Sequence, residues 1–209
     1  MPWLQAALVP DRRRREMDDF LPDIVDAARV DVGDQTLAHL RVDYIDSYLL
    51  HGPSVRTGLA KEDWETWRAM ELVAQSGKAR ALGISNVTLP QLEELCARAT
   101  VRPTFVQNRC YASRGWDRAV RTYCAKHGIG YQAFSVLTAN REILEHAMVR
   151  GLAARAGVTP AQVVFRFALH AGMVVLTGTS SAAHMAEDLA VSTFELSAED
   201  VRKIEAIAG

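Results

Sequence analysis

The sequence of 209 residues predicts an α/β fold in which parallel strands alternate with helices. Short apolar segments alternate with longer segments whose apolar residues recur at helical spacing, and short turns connect the two kinds of segment. Most strand segments are uninterrupted apolar runs, which is typical of a parallel sheet covered on both faces. The first strand–helix turn, His51-Gly52-Pro53, lacks the glycine pattern of a dinucleotide-binding doubly wound sheet. A doubly wound sheet and an incomplete (β/α)₈ barrel with about five parallel strands both fit this pattern, and the missing glycine motif counts against a dinucleotide-binding doubly wound sheet.

The first half of the chain contains two strand–helix pairs. Residues 43–50 are predicted as a strand, and a helix follows from about Glu62 to Gln75, where a Ser-Gly turn ends it. Residues 81–85 form a second, buried strand. The next helix begins after Thr88, which is a good cap residue, and carries Pro90 in its first turn.

The second half repeats this alternation. Strands are predicted at residues 104–111, 131–137 and 173–176. Helices are predicted at residues 116–126, 141–155, 160–170 and 182–189, and after the cap residue Ser197. No linker rich in Pro, Gly or Ser interrupts the pattern. Residues 1–22 are predicted to be an N-terminal lead-in, and residues 23–209 a single domain.

Composition and charge exclude several classes of protein. Lys and Arg number 24 against 25 Asp and Glu, for a formal net charge of −1, so the chain lacks the basic excess that nucleic-acid binding requires. No apolar run is long enough to cross a membrane or to serve as a signal peptide. The three cysteines are an odd number without metal-ligand spacing, which favours free thiols in a reducing cytoplasm and no metal site. A cytoplasmic enzyme or binding domain for a small molecule remains.

Polar side chains follow the ends of the predicted strands. In a barrel the carboxyl ends of the strands meet at one mouth, where functional groups lie. The residues at these ends are His51, Ser85–Asn86, Gln107–Asn108, Phe134–Ser135 with Asn140, and Gly178–Thr179. This hydrogen-bonding set predicts a ligand site at the mouth.

Five segments, in this order, resemble the aldo-keto reductases. The segments are residues 42–51, 77–86, 106–109, 133–137 and 180–188. The resemblance implies that His51 is the active-site histidine, and that Ser85, Asn86 and Gln107 hold the nicotinamide carboxamide. It further implies an aromatic stacking platform at Phe134. The cofactor-binding residues implied in this way are Ser85, Asn86, Gln107, Phe134, Ser135, Leu137, Thr179, His184, Glu187 and Asp188. The chemistry is consistent, because a carboxamide offers two donors and one acceptor to such amide and hydroxyl groups.

The chain also departs from the family pattern. It resembles an N-terminally truncated member that lacks the first three strands, on which the family carries its catalytic Asp, Tyr and Lys. Of the four catalytic residues, only His51 is carried over. Gly178 and His184 stand where many members place a lysine and an arginine against the phosphate of NADP, which leaves NADP and NAD both open as the cofactor.

Three functions follow from these observations. The first is an NAD(P)H-dependent carbonyl oxidoreductase scaffold with most of the catalytic tetrad absent. The second is a cofactor-independent dehydratase, isomerase or cyclase that uses His51 as acid and base, and the third is a non-catalytic partner subunit. A partial barrel exposes two sheet edges and part of its interior, so we expect a homodimer or a partner chain to cover the open edge.

Overall fold

The computed structural model of the chain describes residues 6–7 and 35–207. The chain divides into two compact units, the first ending at Val106 and the second beginning at Gln107. The predicted α/β fold, with five parallel strands and intervening helices, is confirmed. The predicted lead-in, residues 1–22, lies outside the described residues except for Ala6 and Ala7. The prediction of one domain from residue 23 onwards stays a prediction.

Three strands belong to the first unit, namely β1 (Ala6–Ala7), β2 (Ile45–Leu50) and β3 (Ala79–Ser85). β2 and β3 are parallel, with Ile45 opposite Ala79 and Leu50 opposite Ile84. The two residues of β1 pair antiparallel with β2. The sequence analysis did not predict β1, because two residues are too few to show a strand periodicity.

Helices precede and follow the parallel strands of the first unit. These helices are α1 (residues 35–40), α2 (Lys61–Gln75) and α3 (Leu89–Arg98). α2 buries Trp67, whose indole nitrogen donates to the carbonyl oxygen of Val101 at 3.2 Å. β3 needs a glycine at Gly83, because a Cβ there would lie 2.7 Å from the Leu49 side chain and 2.8 Å from the Phe105 carbonyl oxygen.

The boundary between the units lies within β4 (Phe105–Arg109), and the second unit continues with β5 (Gly130–Phe134) and β6 (Met173–Leu176). β5 and β6 are parallel, with Tyr131 opposite Met173. The predicted strand 131–137 is too long at its carboxyl end. It ends at Phe134 because Ser135 has a left-handed backbone, with φ of 56°.

The second unit contains six α-helices among its described residues. They are α4 (Arg118–His127), α5 (Arg141–Glu145), α6 (Ala147–Ala156), α7 (Pro160–His170), α8 (Ala182–Leu189) and α9 (Ala198–Glu205). The helix predicted over residues 141–155 is two helices, because the backbone of His146 is extended and its ring caps α6 at the amide of Met148. The helix predicted from residue 116 begins later, because Trp116 and Asp117 both have left-handed φ values, 56° and 54°.

Candidate active site

The first group of candidate residues lies at the carboxyl ends of β2 and β3. The Asn86 side chain donates from Nδ2 to the carbonyl oxygen of His51 at 2.8 Å and to Oγ of Ser85 at 3.2 Å. Asn86 itself has a left-handed backbone, with φ of 51°, a conformation that asparagine tolerates better than most residues. The turn after β3 therefore holds the end of β2 through one amide group.

Gly52 lets these two turns approach each other. A Cβ at this position would lie 3.1 Å from the Ser85 carbonyl oxygen and 3.2 Å from Cβ of Asn86, closer than ordinary van der Waals contact. The side chain of His51, by contrast, is exposed. The backbone of His51 is thus fixed while its imidazole remains accessible to a reactant.

The amide of Asn86 has a free acceptor. Its Nδ2 makes both of the hydrogen bonds given above, and its Oδ1 accepts none from the described residues. Asn86 is exposed, whereas the neighbouring Ser85 is buried. A fixed, exposed acceptor of this kind fits the NH₂ group of a carboxamide, as in nicotinamide.

The second group lies in the second unit. Gln107 is buried and donates from Nε2 to Oε1 of Gln132 at 3.0 Å, so Gln132 sets the orientation of its amide. The Phe134 ring is half-buried, and the guanidinium of Arg109 lies 5.4 Å from its centroid. Ser135 and Leu137, in the turn that follows, are half-buried as well. Phe134 therefore offers a partly accessible aromatic face, although a cation lies over one side of it.

Two predicted members of the polar set have structural partners instead. Asn140 is 1% exposed and accepts from the amide of Ala112 at 2.6 Å. Its Nδ2 donates to the carbonyl oxygens of Cys110 and Val136, both at 2.8 Å. Asn140 therefore uses its amide to join two loops, and we remove it from the candidate ligand site.

Asn108 belongs to a buried network around Asp117. Oδ2 of Asp117 accepts from Nδ2 of Asn108 at 2.8 Å and from the hydroxyl of Tyr131 at 2.7 Å. Burial, followed by the charge of Asp117, raises the pKa of Tyr131 far above its usual value. Burial likewise raises the pKa of the Cys110 thiol to about 12, so this thiol is protonated and inert at neutral pH.

The third group surrounds the beginning of α8. The hydroxyl of Thr179 accepts from the amide of Ser181 at 3.1 Å, and the Ser181 hydroxyl caps α8 at the amide of His184. His184 is exposed, and a Cβ added at Gly178 would meet no atom within 4 Å. Helix N-termini attract anions, so this end of α8 suits a phosphate group.

Glu187 and Asp188 lie on the same helix and are half-exposed. The Asp188 carboxylate accepts from the hydroxyl of Thr177 at 3.2 Å. The backbone carbonyl of Glu187 accepts from Nε2 of Gln162 at 2.9 Å. These contacts tie α8 to β6 and α7.

Sequence reasoning missed two residues next to this site, Asp63 on α2 and Gln91 on α3. Both are buried, and both bind the backbone of the loop that follows His51. A local signal was present for Gln91, because Thr88 and Gln91 have the spacing of a capping box. Nothing local indicates that either side chain reaches the loop.

Within residues 6–7 and 35–207, no cluster of His, Cys, Asp or Glu has the geometry of a metal site. Across the same residues, no helix combines the length and apolar character needed to cross a membrane.

Alternating strands and helices, with polar side chains at the strand ends, define a scaffold of the (β/α)₈ barrel class. Residues 29–208 match the sequence profile of the Aldo/keto reductase family. The chain belongs to this family, as its strand-end motifs predict.

Known relatives cover most of this chain. Glyoxal reductase of Bacillus subtilis (strain 168) is 33% identical over 175 residues, which are 83% of this chain and 60% of the relative. The NADPH-dependent D-xylose reductase of Meyerozyma guilliermondii is 27% identical over 205 residues, with 82% of this chain and 64% of the relative covered. This chain thus spans about 60% of the length of the curated relatives it matches.

Solved structures agree with this assignment. The crystal structure of an aldo/keto reductase from Brucella melitensis superimposes with a TM-score of 0.75 at 26% identity, over 85% of this chain and 66% of that one. An aldo-keto reductase from a deep-sea metagenome shares the fold, with a TM-score of 0.77 at 24% identity, over 85% and 64%.

Proposed function

We propose that this chain is an NAD(P)H-dependent carbonyl oxidoreductase scaffold that acts on a small-molecule substrate. The observation that carries the proposal is the amide of Asn86, which is held by His51 and Ser85 and keeps one exposed acceptor. This arrangement supports a carboxamide-binding role directly beside an accessible histidine. Membership of the Aldo/keto reductase family supports the same chemistry.

Both units contain candidate cofactor-binding residues. In the first unit, Ser85 and Asn86 would bind the carboxamide. In the second unit, Gln107 offers a further amide and Phe134 an aromatic face, flanked by Ser135 and Leu137. The beginning of α8, with Thr179 and His184, would bind the adenosine phosphate. Glu187 and Asp188, in the last turn of α8, would bind the adenosine. When bound, NAD(P)H would supply a hydride from its dihydronicotinamide ring to the carbonyl carbon and would become NAD(P)⁺.

His51 is the proposed acid of this reaction. Histidine is the side chain that most often transfers a proton in general acid–base catalysis, and the exposed ring of His51 is accessible to a substrate carbonyl group. Asn86 donates a hydrogen bond to the backbone of His51, so the imidazole is attached to a fixed backbone position. Of the family's four catalytic residues we assign His51, so turnover should depend on this side chain.

Calorimetry with NADPH and NADH tests the proposal. We expect micromolar binding by the wild-type chain and at least about tenfold weaker binding by Asn86→Ala, since hydrogen bonds are lost. Glu93→Gln, on the exposed face of α3, is the matched control and should bind like the wild type. His51→Gln should bind cofactor but lose turnover. No binding at millimolar cofactor would refute the proposal, and cofactor-free turnover abolished by His51→Ala would support the acid–base alternative instead.

The cofactor preference is open to a direct test. Gly178 has open space around it and His184 is exposed, so larger cationic side chains fit at both positions. The double variant Gly178→Lys, His184→Arg should bind NADPH at least about tenfold more tightly, because charge-assisted bonds to a phosphate form, with NADH binding unchanged. Equal effects on both cofactors would contradict a phosphate-binding role for this segment.

We also propose that the protein is cytoplasmic and self-associates as a homodimer. All three cysteines are free and buried, as expected in a reducing compartment.

In the second unit, apolar side chains of β6 and α8 are exposed: Val174 at 50%, Met185 at 47% and Leu189 at 83%. Light scattering of the purified chain should give twice the monomer mass. A monomer would contradict self-association and leave a separate partner chain as the remaining means of covering these groups.

A further inference from the structure

The loop between β2 and α2 begins at His51 and depends on side chains for its conformation. Among the described residues, no backbone–backbone hydrogen bond involves residues 51–59. Three side chains bind the loop backbone instead. Asn86 binds the His51 carbonyl oxygen at one end, and Asp63 and Gln91 bind the rest of the loop. These side-chain hydrogen bonds therefore stabilise one conformation of the loop.

Asp63 binds the loop at two donors. One carboxylate oxygen accepts from the amide of Ser54 at 2.8 Å, and the other accepts from the amide of Ala60 at 2.9 Å. Asp63 is 6% exposed and lies in the first turn of α2. The beginning of this helix is therefore tied to the middle and the end of the loop.

Gln91 binds the same loop at two acceptors. Its Nε2 donates to the carbonyl oxygens of Val55 at 3.0 Å and Gly58 at 2.9 Å. Its Oε1 accepts from the amide and the hydroxyl of Thr88, at 3.0 and 2.8 Å. Gln91 is 2% exposed, and its amide is fully used. Because Thr88 follows Asn86 by two residues, one buried side chain links the loop of His51 to the turn that carries Asn86.

We propose that Asp63 and Gln91 are positioning residues, which hold the loop so that His51 keeps one place beside Asn86. The inference rests on the proposed function, in which His51 acts on the substrate and Asn86 binds the cofactor. We call Asp63 and Gln91 the clamp. Val55 and Arg56, at the tip of the loop, are exposed, so the clamp also fixes the surface next to His51. Neither positioning residue needs to touch a ligand.

Limited proteolysis measures how often the loop opens and does not depend on any enzymatic activity of the protein. Arg56 lies in the exposed part of the loop, so trypsin cuts after it once the loop opens. Gln91→Glu keeps an oxygen for Thr88 but loses the donors to the loop, and the peptide ending at Arg56 should form about tenfold faster or more. Asp63→Ala should have a similar effect, and Asp63→Asn, which keeps one oxygen, an intermediate one. Glu93→Gln is the control.

The His51 ring reports positioning directly. The chain has six histidines, whose Cε1 protons give separate NMR signals, and His51→Gln assigns the relevant one. In Gln91→Glu the His51 signal should shift or broaden, whereas that of His127, at the end of α4, should stay in place. Circular dichroism confirms that each variant is folded. If Asp63→Ala does not fold, Gln91→Glu decides the question.

Two results would overturn the proposal. One is an unchanged rate of cleavage after Arg56 in folded Gln91→Glu. The other is faster cleavage with an unmoved His51 signal, which would show that the clamp orders the loop without positioning the histidine. Cofactor binding is measured on the same wild-type sample. Its absence refutes the proposed function, while cleavage and the NMR signal still decide the clamp.

Discussion

Replacing Asn140 by alanine tests whether this residue is structural, as its contacts indicate. The side chain is 1% exposed and makes three hydrogen bonds to backbone groups, at 2.6, 2.8 and 2.8 Å. A typical bond contributes about 1 kcal/mol net, and a buried group left without its partner costs about 1–3 kcal/mol. One amide and two carbonyl groups lose their partner together. The free energy of unfolding should therefore fall by about 3–5 kcal/mol.

Urea denaturation, followed by tryptophan fluorescence and circular dichroism, measures this loss. Trp116 is fully buried in the same unit and should report the transition. Thr138→Ala changes an exposed residue of the same turn and should alter the free energy of unfolding by no more than about 0.5 kcal/mol. A loss below about 1 kcal/mol in Asn140→Ala, with an unchanged denaturant slope, would refute the structural assignment and return Asn140 to the candidate ligand site.

Three further expectations concern packing, a buried ion pair and a buried thiol. Gly83→Ala should lower the free energy of unfolding by about 1–3 kcal/mol, because its Cβ would lie 2.8 Å from a backbone carbonyl oxygen. Gly151→Ala, which has open space around it in α6, should raise the free energy of unfolding by about 0.5–1 kcal/mol. Urea titrations of the two variants measure both changes. Arg121→Met should lower the free energy of unfolding by about 3 kcal/mol, because it breaks a largely buried ion pair with Glu205. Arg118→Met removes an exposed partner of the same carboxylate and should lower the free energy of unfolding by about 1 kcal/mol or less. Equal losses in the two variants would contradict this reasoning. Burial raises the pKa of Cys110 from 9.0 to about 12, so the unfolded thiol releases its proton at lower pH than the folded one, and stability should fall as pH rises from about 9 to 12. Thermal melts at pH 8–10.5 should show a shallower decline for Cys110→Ala, and an unchanged slope would contradict the assignment.

Local signals in the sequence predicted most helix and strand positions. The helix after Thr88 begins at Leu89, as its cap and the proline in its first turn indicate, and the last helix begins after Ser197. β6 covers residues 173–176, as predicted. Caps and periodicities act through neighbours in the chain, so they can be identified without knowledge of the fold.

The errors fall where distant residues hold the backbone. Trp116 and Asp117 lie at the start of the predicted helix, which instead begins at Arg118, and both residues make tertiary contacts. Nε1 of Trp116 donates to the Ile204 carbonyl oxygen at 3.3 Å, and the Asp117 carboxylate accepts from the Tyr131 hydroxyl. A bond from another element can outweigh helix propensity, and a propensity scale does not contain that bond.

Residue types and their order along the chain were enough to determine the family, the alternation of strands and helices, and a short set of amide, hydroxyl and imidazole groups at strand ends. Tertiary structure alone decided which of these groups are available to a ligand. Asn86 keeps an exposed acceptor, whereas the side-chain amide of Asn140 makes its hydrogen bonds with backbone groups. The reason is that an amide has the same chemistry in a core as at a binding site, and its partners come from elements that the chain brings together only by folding.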